Sequence, residues 1–517
     1  MFNEHRECKM VSMLKKISIL YTAQIYKALM PLIFVPVILR MMGSENYGLV
    51  AFFTMLISLL GLLDAGIGST FIKIVSTNRF SKLRFQQVLA LFSKVTVCFL
   101  IIALLLISFF YVRADFIAES WLNTTIDHVT VISCMKLIGM ILGIMYLKSF
   151  LSSFINGMER QELNAIWGVC YTTLFYAGSY LALKYINNDL VVFFQSILVI
   201  TLFDLLIVIL MLLFIVARNL QQLKKGSISS YDQENNEKLS LLNILKFSLQ
   251  LSGLSMIWVI ASQIDKIILS KYIQLNDYAH YQIAAQLAAT ITIFTIPLTQ
   301  YLLPRLSVLY NEGSVNGFVD IFTKSFFGYV IIVSPIMPFF FIFGDQLITL
   351  WVNNAKLALQ INIYARWLIS GAFFVGLMNF VFICLYAQNK LKQHFYAYAS
   401  YSAIAIPLSI LVAKYYGALH SSVFVFAHSL AFWTIWGGAY FYKNMSGIIM
   451  PFIKIILSTV AISIVVFKGL EYSLSLLMFS KIWVLAVPII NFILTVAVFY
   501  LVRKSLKKEL EKICFNR

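Results

Sequence analysis

Long apolar runs, separated by short clusters of charged and turn-forming residues, make up most of the chain. The runs are continuous rather than alternating, so they predict helices and not the roughly ten-residue strands of a membrane β-barrel. Each is close to the roughly 20 residues that cross the apolar core of a bilayer. The sequence predicts fourteen membrane-spanning helices, spans 1 to 14, at 17–39, 46–70, 87–111, 129–155, 162–184, 190–217, 241–265, 277–303, 323–347, 362–388, 393–414, 419–443, 451–470 and 482–502.

Composition supports a chain surrounded by lipid. Of 517 residues, 61% are hydrophobic and 12% are charged, whereas about a quarter of the residues of a soluble domain are charged. The net charge of +18 could indicate nucleic-acid binding. The basic residues lie in short segments between apolar runs rather than in one patch, which favours topology signals instead.

The distribution of Lys and Arg predicts the orientation. If the N-terminus is cytoplasmic, and a basic residue within two positions of a span end is counted with the adjoining segment, the cytoplasmic segments hold 24 of the 40 Lys and Arg residues and the opposite segments hold 9. Cytoplasmic loops carry such an excess, so both termini are predicted to be cytoplasmic. The first run is long, lacks a small-residue cleavage pattern and leads into further spans, so it predicts a membrane helix rather than a cleaved signal peptide.

The longest polar connection divides the chain. The predicted organisation is a six-helix bundle at 1–217, a cytoplasmic linker at 218–240, a second six-helix bundle at 241–443, and two additional helices with a basic cytoplasmic tail at 444–517. Two bundles joined by a mid-chain linker are typical of transporters built from parallel repeats.

A faint internal repeat supports this division. Arg40 and the following Asn46, Tyr47 and Gly48 are echoed, 231 residues later, by Lys271 and the following Asp277, Tyr278 and Ala279. After spans 4 and 10, residues 156–160 are similarly echoed by residues 388–390, at an offset of 230. An even number of helices per repeat would preserve the orientation of the second bundle.

Ionisable residues inside the spans are the main candidates for function, because each costs at least ~2.5 kcal/mol in hydrocarbon unless it faces protein or a water-filled cavity. Lysines outnumber carboxylates near the centre, which favours an anionic substrate over a cationic drug. The substrate-binding candidates are Lys27, Lys136, Lys148 and Gln24. The gating or ion-coupling candidates are Asp64, Asp204, Asp265, His428 and Pro31.

Span 1 combines several of these residues. Gln24, Lys27 and Pro31 share one helix face by their i, i+3, i+7 spacing, and proline weakens the backbone ladder. A bend beside a buried lysine suggests a moving gate. The alternative is structural, with Lys27 paired to Asp64 or Asp204.

Other patterns have simpler interpretations. His428 could relay protons, although a single histidine among aromatic residues is more often a packing residue. The glycine-rich segment at 64–68 lies in a predicted span and indicates close helix packing rather than a nucleotide loop. No Walker loop is present, which argues against direct use of ATP. The six cysteines form no CxxC pair, so neither a disulfide, a metal site nor a cofactor is expected.

Three sets of passages carry a family resemblance. They are Pro36–Gly43 with Tyr47, Gly48 and Leu63–Gly68; Asn156–Gln161 with Asn164; and Asp265–Ser270 with Tyr278 and Pro304–Ser307. Together they resemble the polysaccharide transporter family, within the multidrug/oligosaccharidyl-lipid/polysaccharide exporter superfamily. The resemblance implies two six-helix bundles forming a V around a central cavity, with two further helices outside.

Members that resemble this chain are O-antigen flippases, which move undecaprenyl-pyrophosphate-linked oligosaccharide units from the cytoplasmic to the periplasmic leaflet of the bacterial inner membrane. The resemblance therefore implies a transporter rather than an enzyme. Alternating access would be driven by a proton or sodium gradient or by the membrane potential. The expected partners are the lipid-linked oligosaccharide, the bilayer and a polysaccharide polymerase, without nucleic acid.

Two other functions remain open. A cation-coupled multidrug exporter shares the superfamily's architecture, but such exporters usually have twelve spans and a carboxylate-rich cavity. A membrane glycosyltransferase or polymerase of the same sugar pathway would tend to carry a large periplasmic loop. The longest predicted outside loop here is only 112–128.

Overall fold

The structure is helical almost throughout. The computed structural model describes residues 2–64, 66–225, 241–444, 446–476 and 486–487. Within these ranges no β-strand forms, and an isolated bridge pairs Asn123 with Gln274. The predicted all-α fold is confirmed.

The helices are numbered in chain order over the described ranges. Their bounds are α1 (Phe2–Asp64), α2 (Ile67–Asn78), α3 (Lys82–Phe116), α4 (His128–Gly157), α5 (Gln161–Thr173), α6 (Ser179–Tyr185), α7 (Leu190–Lys225), α8 (Leu241–Tyr272), α9 (Leu275–Ala289), α10 (Thr292–Asn311), α11 (Val315–Val333), α12 (Ile336–Ile342), α13 (Gly344–Val352), α14 (Ala355–Ala387), α15 (Leu391–Phe432), α16 (Gly438–Asn444) and α17 (Ser446–Leu476). π-Helical segments continue α3, α5 and α15 at Ile117–Trp121, Leu174–Gly178 and Trp433–Gly437.

Nine helical stretches in the described part of the chain are long and apolar enough to cross a membrane. Two of them, Ser18–Asp64 with 47 residues and Leu391–Lys443 with 53 residues, are too long for one crossing. At 1.5 Å per residue they would extend about 70–80 Å, more than twice the apolar thickness of a bilayer. Non-helical dihedral angles interrupt them at Gly43 and Gly417, so each is long enough for two crossings. The chain is a multi-pass membrane protein.

The exact number of spans and the domain boundaries stay predictions. Span 14 (482–502) lies outside the described residues apart from 486–487, and residues 226–240 of the predicted linker also lie outside them.

Several predicted spans are not single α-helices. Span 9 contains α11, α12 and the start of α13, with a break at Ser334–Pro335, where proline cannot donate a backbone hydrogen bond. Span 8 is divided between α9 and α10 at Thr290–Ile291. Span 5 consists of α5, a π-helical segment and α6. The apolar pattern predicts the length of a crossing but does not locate breaks inside it.

The interruptions at Gly43 and Gly417 use a backbone conformation that is almost restricted to glycine. Their dihedral angles are φ 77°, ψ 165° and φ 74°, ψ −165°. A Cβ atom at either position would meet no atom within 4 Å, so the backbone alone decides the effect of a substitution. We expect Gly43→Ala to lower the free energy of unfolding by about 1–3 kcal/mol, measured by thermal unfolding of the purified protein in detergent.

Gly61→Ala is the matched control. Gly61 also has open space within 4 Å, but it lies in regular helical conformation inside α1. Alanine is favoured over glycine by up to about 1 kcal/mol in a helix interior, so this variant should keep or raise the melting temperature. Equal melting temperatures for the two variants would show that the chain can rebuild the Gly43 interruption with another residue.

The chain divides into two compact units. Unit 1 comprises Met1–Gln263 and Gln274–Asn276, and unit 2 comprises Ile264–Ile273 and Asp277–Arg517. Each has its own apolar core.

Stacked phenylalanine rings form the core of unit 1. The rings of Phe99 on α3 and Phe150 on α4 lie 4.2 Å apart at 19°. Close approach of these two helices depends on Gly143, where an added Cβ would lie 2.9 Å from a backbone carbonyl oxygen of α3. Small residues at such positions are a common means of packing membrane helices.

In unit 2, α17 packs against α11 and α12. The rings of Phe326 and Phe452 stack at 3.9 Å and 11°. The buried Ser334 hydroxyl donates a hydrogen bond to Thr459 Oγ1 at 2.9 Å, which satisfies a polar group inside an apolar interface. The first of the two additional helices is therefore attached to unit 2 by both stacking and hydrogen bonding.

Two turns paired by the predicted repeat share their geometry. Glu159, after α4, and Asn389, after α14, have φ angles of 56° and 57°. In each turn this residue's N–H donates to the carbonyl three positions earlier at 3.0 Å, and the next N–H donates to the carbonyl five positions earlier, at 3.3 and 2.8 Å. The same left-handed helix ending thus occurs twice, 230 residues apart.

Candidate functional site

A buried ion pair joins α4 to α7 in unit 1. Lys148 Nζ lies 2.6 Å from Asp204 Oδ2, and the two side chains are 22% and 1% exposed. The other carboxylate oxygen of Asp204 accepts a hydrogen bond at 2.7 Å from the indole N–H of Trp167 on α5. A buried carboxylate is costly unless it is paired and hydrogen-bonded. Asp204 meets both conditions and links three helices.

The Lys148 ammonium group lies against an aromatic ring. It lies 4.4 Å from the centroid of the Tyr171 ring, within the range of a cation–π interaction. The Trp167 ring meets Phe203 edge-on at 5.9 Å. Trp167 and Tyr171 are four residues apart, so α5 presents both on one face.

Lys27 lies beside this cluster. Its ammonium group packs against Gly168 of α5, where an added Cβ would lie 2.7 Å from Lys27 Cε. The missing side chain of Gly168 therefore provides the space for the lysine. Lys27 and Lys148 are close enough to repel each other. Among the described residues Lys27 forms no ion pair, since Asp204 is paired with Lys148 and the Asp64 carboxylate accepts a backbone hydrogen bond.

Asp64 caps the helix that follows it. Its carboxylate accepts a hydrogen bond at 3.2 Å from the Gly68 N–H in the first turn of α2. Gly66, between them, has a φ angle of 70°, and a left-handed residue does not continue a helix. Gly66 therefore lies in a turn before α2, which the sequence did not predict inside this span.

The other span 1 candidates lie on α1. Gln24 is exposed and Pro31 is partly exposed. Helical geometry continues through Pro31, and the interruption of α1 falls at Gly43.

Lys136 lies apart from the cluster. Its ammonium group is 4.7 Å from the ring of Tyr111 on α3, and that tyrosine is 55% exposed. Twelve residues separate Lys136 from Lys148 on α4, which corresponds to about 18 Å along the helix and a different helix face. The three lysine candidates therefore do not form one group.

Asp265 forms a separate polar cluster in unit 2. The carboxylate is 4% exposed and accepts a hydrogen bond at 2.5 Å from the hydroxyl of the buried Tyr281. Lys266 Nζ lies 3.8 Å from its other oxygen. The fully buried Tyr278 is also within electrostatic range. Asp265 is thus held by groups on α8 and α9.

His428 lies near Asp265 as well. The two side chains are close enough to interact electrostatically. The ring of His428 is partly exposed and lies 5.5 Å from Phe424 and 6.5 Å from Tyr401, whose hydroxyl donates to the His428 carbonyl at 2.7 Å. Two of the predicted ion-coupling residues thus lie within electrostatic range of each other, without a direct hydrogen bond or ion pair between them in the part of the chain that the structure describes.

Comparison with known proteins identifies the family. A family model described as "Polysaccharide biosynthesis protein" matches residues 13–309, more than half of the chain. The chain belongs to this family. The resemblance found in the sequence motifs is confirmed. No curated protein matches the chain.

Solved structures show which fold this polysaccharide biosynthesis protein has. It is similar to the lipid II flippase MurJ in an inward closed conformation, with a TM-score of 0.68 and 15% identity over 93% of this chain and 98% of that chain. It is also similar to an inward-facing multidrug resistance MATE family transporter of the MOP superfamily, with a TM-score of 0.58 and 10% identity over 82% and 96% of the two chains. A Vibrio cholerae MATE transporter gives a TM-score of 0.51 and 12% identity over 84% and 98%. At such identities the likeness establishes the fold alone.

Sequence reasoning did not place every residue of the site in this family member. By sequence alone Trp167 and Tyr171 are two of many aromatic residues that suit a membrane interface, helix packing or the stacking of a sugar ring; in the structure they contact the Asp204–Lys148 pair. Gly168 was not identified, although a glycine between two aromatic residues in a bulky span is a signal of close approach. Tyr281 carried no sequence signal that would link it to Asp265.

Proposed function

We propose that this protein is a flippase that moves undecaprenyl-pyrophosphate-linked O-antigen repeat units from the cytoplasmic to the periplasmic leaflet of a bacterial inner membrane. Membership of the polysaccharide biosynthesis family and the fold shared with a lipid II flippase support the proposal. Transport would proceed by alternating access of two bundles, 1–217 and 241–443, with both termini in the cytoplasm.

The observation that carries the proposal is the environment of Lys27. This ammonium group forms no ion pair among the described residues, and it lies near a second cation, Lys148. With Asp204, the three groups leave a net charge of +1, which suits a pyrophosphate anion. A cation about 4 Å from the anion would contribute on the order of 4 kcal/mol at an effective dielectric constant near 20.

Ion coupling would then involve unit 2. Asp265 and His428 are the candidates, because a buried carboxylate near a histidine can change its charge when it binds a proton or a cation. Asp64 and Asp204 are less suited, since the first caps α2 and the second is held by Lys148 and Trp167.

Deletion of the gene in the bacterium that carries it tests the proposal. We expect surface polysaccharide to disappear while single lipid-linked repeat units accumulate in the inner membrane, accessible only from the cytoplasmic side. A plasmid copy of the wild-type gene should restore both. Normal surface polysaccharide after deletion would contradict the proposal.

A cation-coupled multidrug exporter is the second candidate. It is favoured by the fold shared with MATE transporters and by the buried carboxylates Asp204 and Asp265. Increased sensitivity of the deletion strain to cationic drugs, with intact surface polysaccharide, would support this function and exclude the flippase.

A further inference from the structure

A line of aromatic side chains runs along span 5 from the charged cluster. It consists of Trp167, Tyr171, Tyr176 and Tyr180, spaced by four, five and four residues. Four-residue steps stay on one face of an α-helix, whereas a five-residue step does not. The five-residue step lies in the π-helical segment Leu174–Gly178, where residues five apart are aligned. The π turn therefore keeps the four rings in one stripe.

Helix α1 runs beside this aromatic stripe. Tyr26 Oη lies 2.7 Å from Thr173 Oγ1, and the ring of Phe34 stacks on Tyr176 at 5.9 Å and 24° and meets Tyr180 edge-on at 6.4 Å. The residue further along α1, Phe34, thus contacts residues further along span 5 than Tyr26 does. Lys27 lies at the Gly168 end, about 12 Å from the level of Tyr176.

The stripe is not sealed inside the core. All four residues of the stripe are partly exposed, although the Tyr171 hydroxyl itself is buried. Ala165 is the one buried residue of α5, and the π-helical segment contains no buried residue. Lipid tails cannot hydrogen-bond to tyrosine hydroxyls, so a partly exposed row of such rings is better suited to a cavity that holds a polar ligand than to a surface that faces lipid. Aromatic rings with a hydroxyl at the edge suit a ligand that is apolar on one face and polar around its rim.

We propose that the aromatic stripe binds the sugar rings of the transported molecule while Lys27 binds its pyrophosphate. The inference rests on the proposed flippase function and extends it to the carbohydrate. A pyranose ring presents C–H groups that pack on an aromatic face, and its hydroxyls can bond to the tyrosine hydroxyls. Pyrophosphate and sugar are covalently joined in such a substrate, so a cation and an adjoining aromatic stripe match its two parts in order.

The test uses the full-length protein in phospholipid vesicles with two probes. One is undecaprenyl pyrophosphate carrying the complete oligosaccharide repeat, and the other is the same lipid carrying a single hexose. We expect Tyr176→Leu to slow transport of the oligosaccharide form about tenfold and of the hexose form less than about twofold, because one stacking contact is lost. Tyr176→Phe keeps the ring and should retain most of the preference for the longer sugar.

Matched variants separate the outcomes. Tyr396→Leu, at a tyrosine of α15 that is 66% exposed, should behave as wild type with both probes. Tyr180→Leu repeats the comparison if Tyr176→Leu does not fold. An equal loss for both probes in the stripe variants would overturn the sugar site and leave the flippase function standing. A wild-type protein that moves neither probe would overturn the flippase function, and the sugar site with it.

Discussion

Replacing Asp204 with asparagine should lower the free energy of unfolding by about 3–5 kcal/mol. The side chain is 1% exposed and lies 2.6 Å from Lys148 Nζ, so the substitution leaves a largely buried ammonium group without its counter-charge. The Trp167 hydrogen bond can persist to the amide oxygen, which isolates the loss to the ion pair. Thermal unfolding of the purified protein in detergent, with unchanged lipid and pH, measures the effect.

Two further variants define what the measurement means. Asp320→Asn removes an ion pair of the same 2.6 Å length whose side chains are 54% and 64% exposed, and it should change stability by less than about 1 kcal/mol. The double variant Asp204→Asn with Lys148→Met removes both buried charges and should recover most of the loss. If Asp204→Asn matched the surface variant, Lys148 would have to reach water or another anion.

The spans could be predicted because lipid imposes a simple rule on them. Apolar runs of about 20 residues mark crossings whatever their packing, and the Gly43 and Gly417 interruptions fall between predicted spans. This rule does not predict breaks of the helix inside a crossing. The π-helical segment Leu174–Gly178 and the turn at Gly66 both lie inside predicted spans, where the length and polarity of the run do not show a break in the helix.

The sequence could identify which charged residues belong to the site, but it could not predict which of them contact each other. Depth along a helix follows from the residue number, so Lys27, Lys148 and Asp204 could be assigned to the interior of the membrane. Rotation about the helix axis does not follow from sequence when a helix is apolar on all sides. For that reason the sequence offered Asp204 as a partner for Lys27, whereas the structure pairs it with Lys148, and the separation of Lys136 was not foreseen.

Lys27→Met should reduce transport of the lipid-linked oligosaccharide about 1,000-fold, because on the order of 4 kcal/mol of attraction to pyrophosphate is lost at an effective dielectric constant near 20. Membrane expression and the melting temperature should stay close to wild type. No counter-charge among the described residues is left unpaired by this substitution, in contrast to Asp204→Asn. Lys27→Arg keeps the charge and should retain part of the activity, although Gly168 leaves limited room for a guanidinium group.

Lys94→Met is the matched control for Lys27. Lys94 is also a lysine within a predicted span, but it is exposed on α3 and can extend toward the lipid headgroups. Its substitution should leave transport unchanged. A loss of folded protein in Lys27→Met would instead mean that the lysine is a structural partner of a group in the cluster. Normal transport by Lys27→Met would leave Lys148 as the remaining cation of the cluster, and because Asp204 already neutralises it, the anionic substrate would have to bind elsewhere.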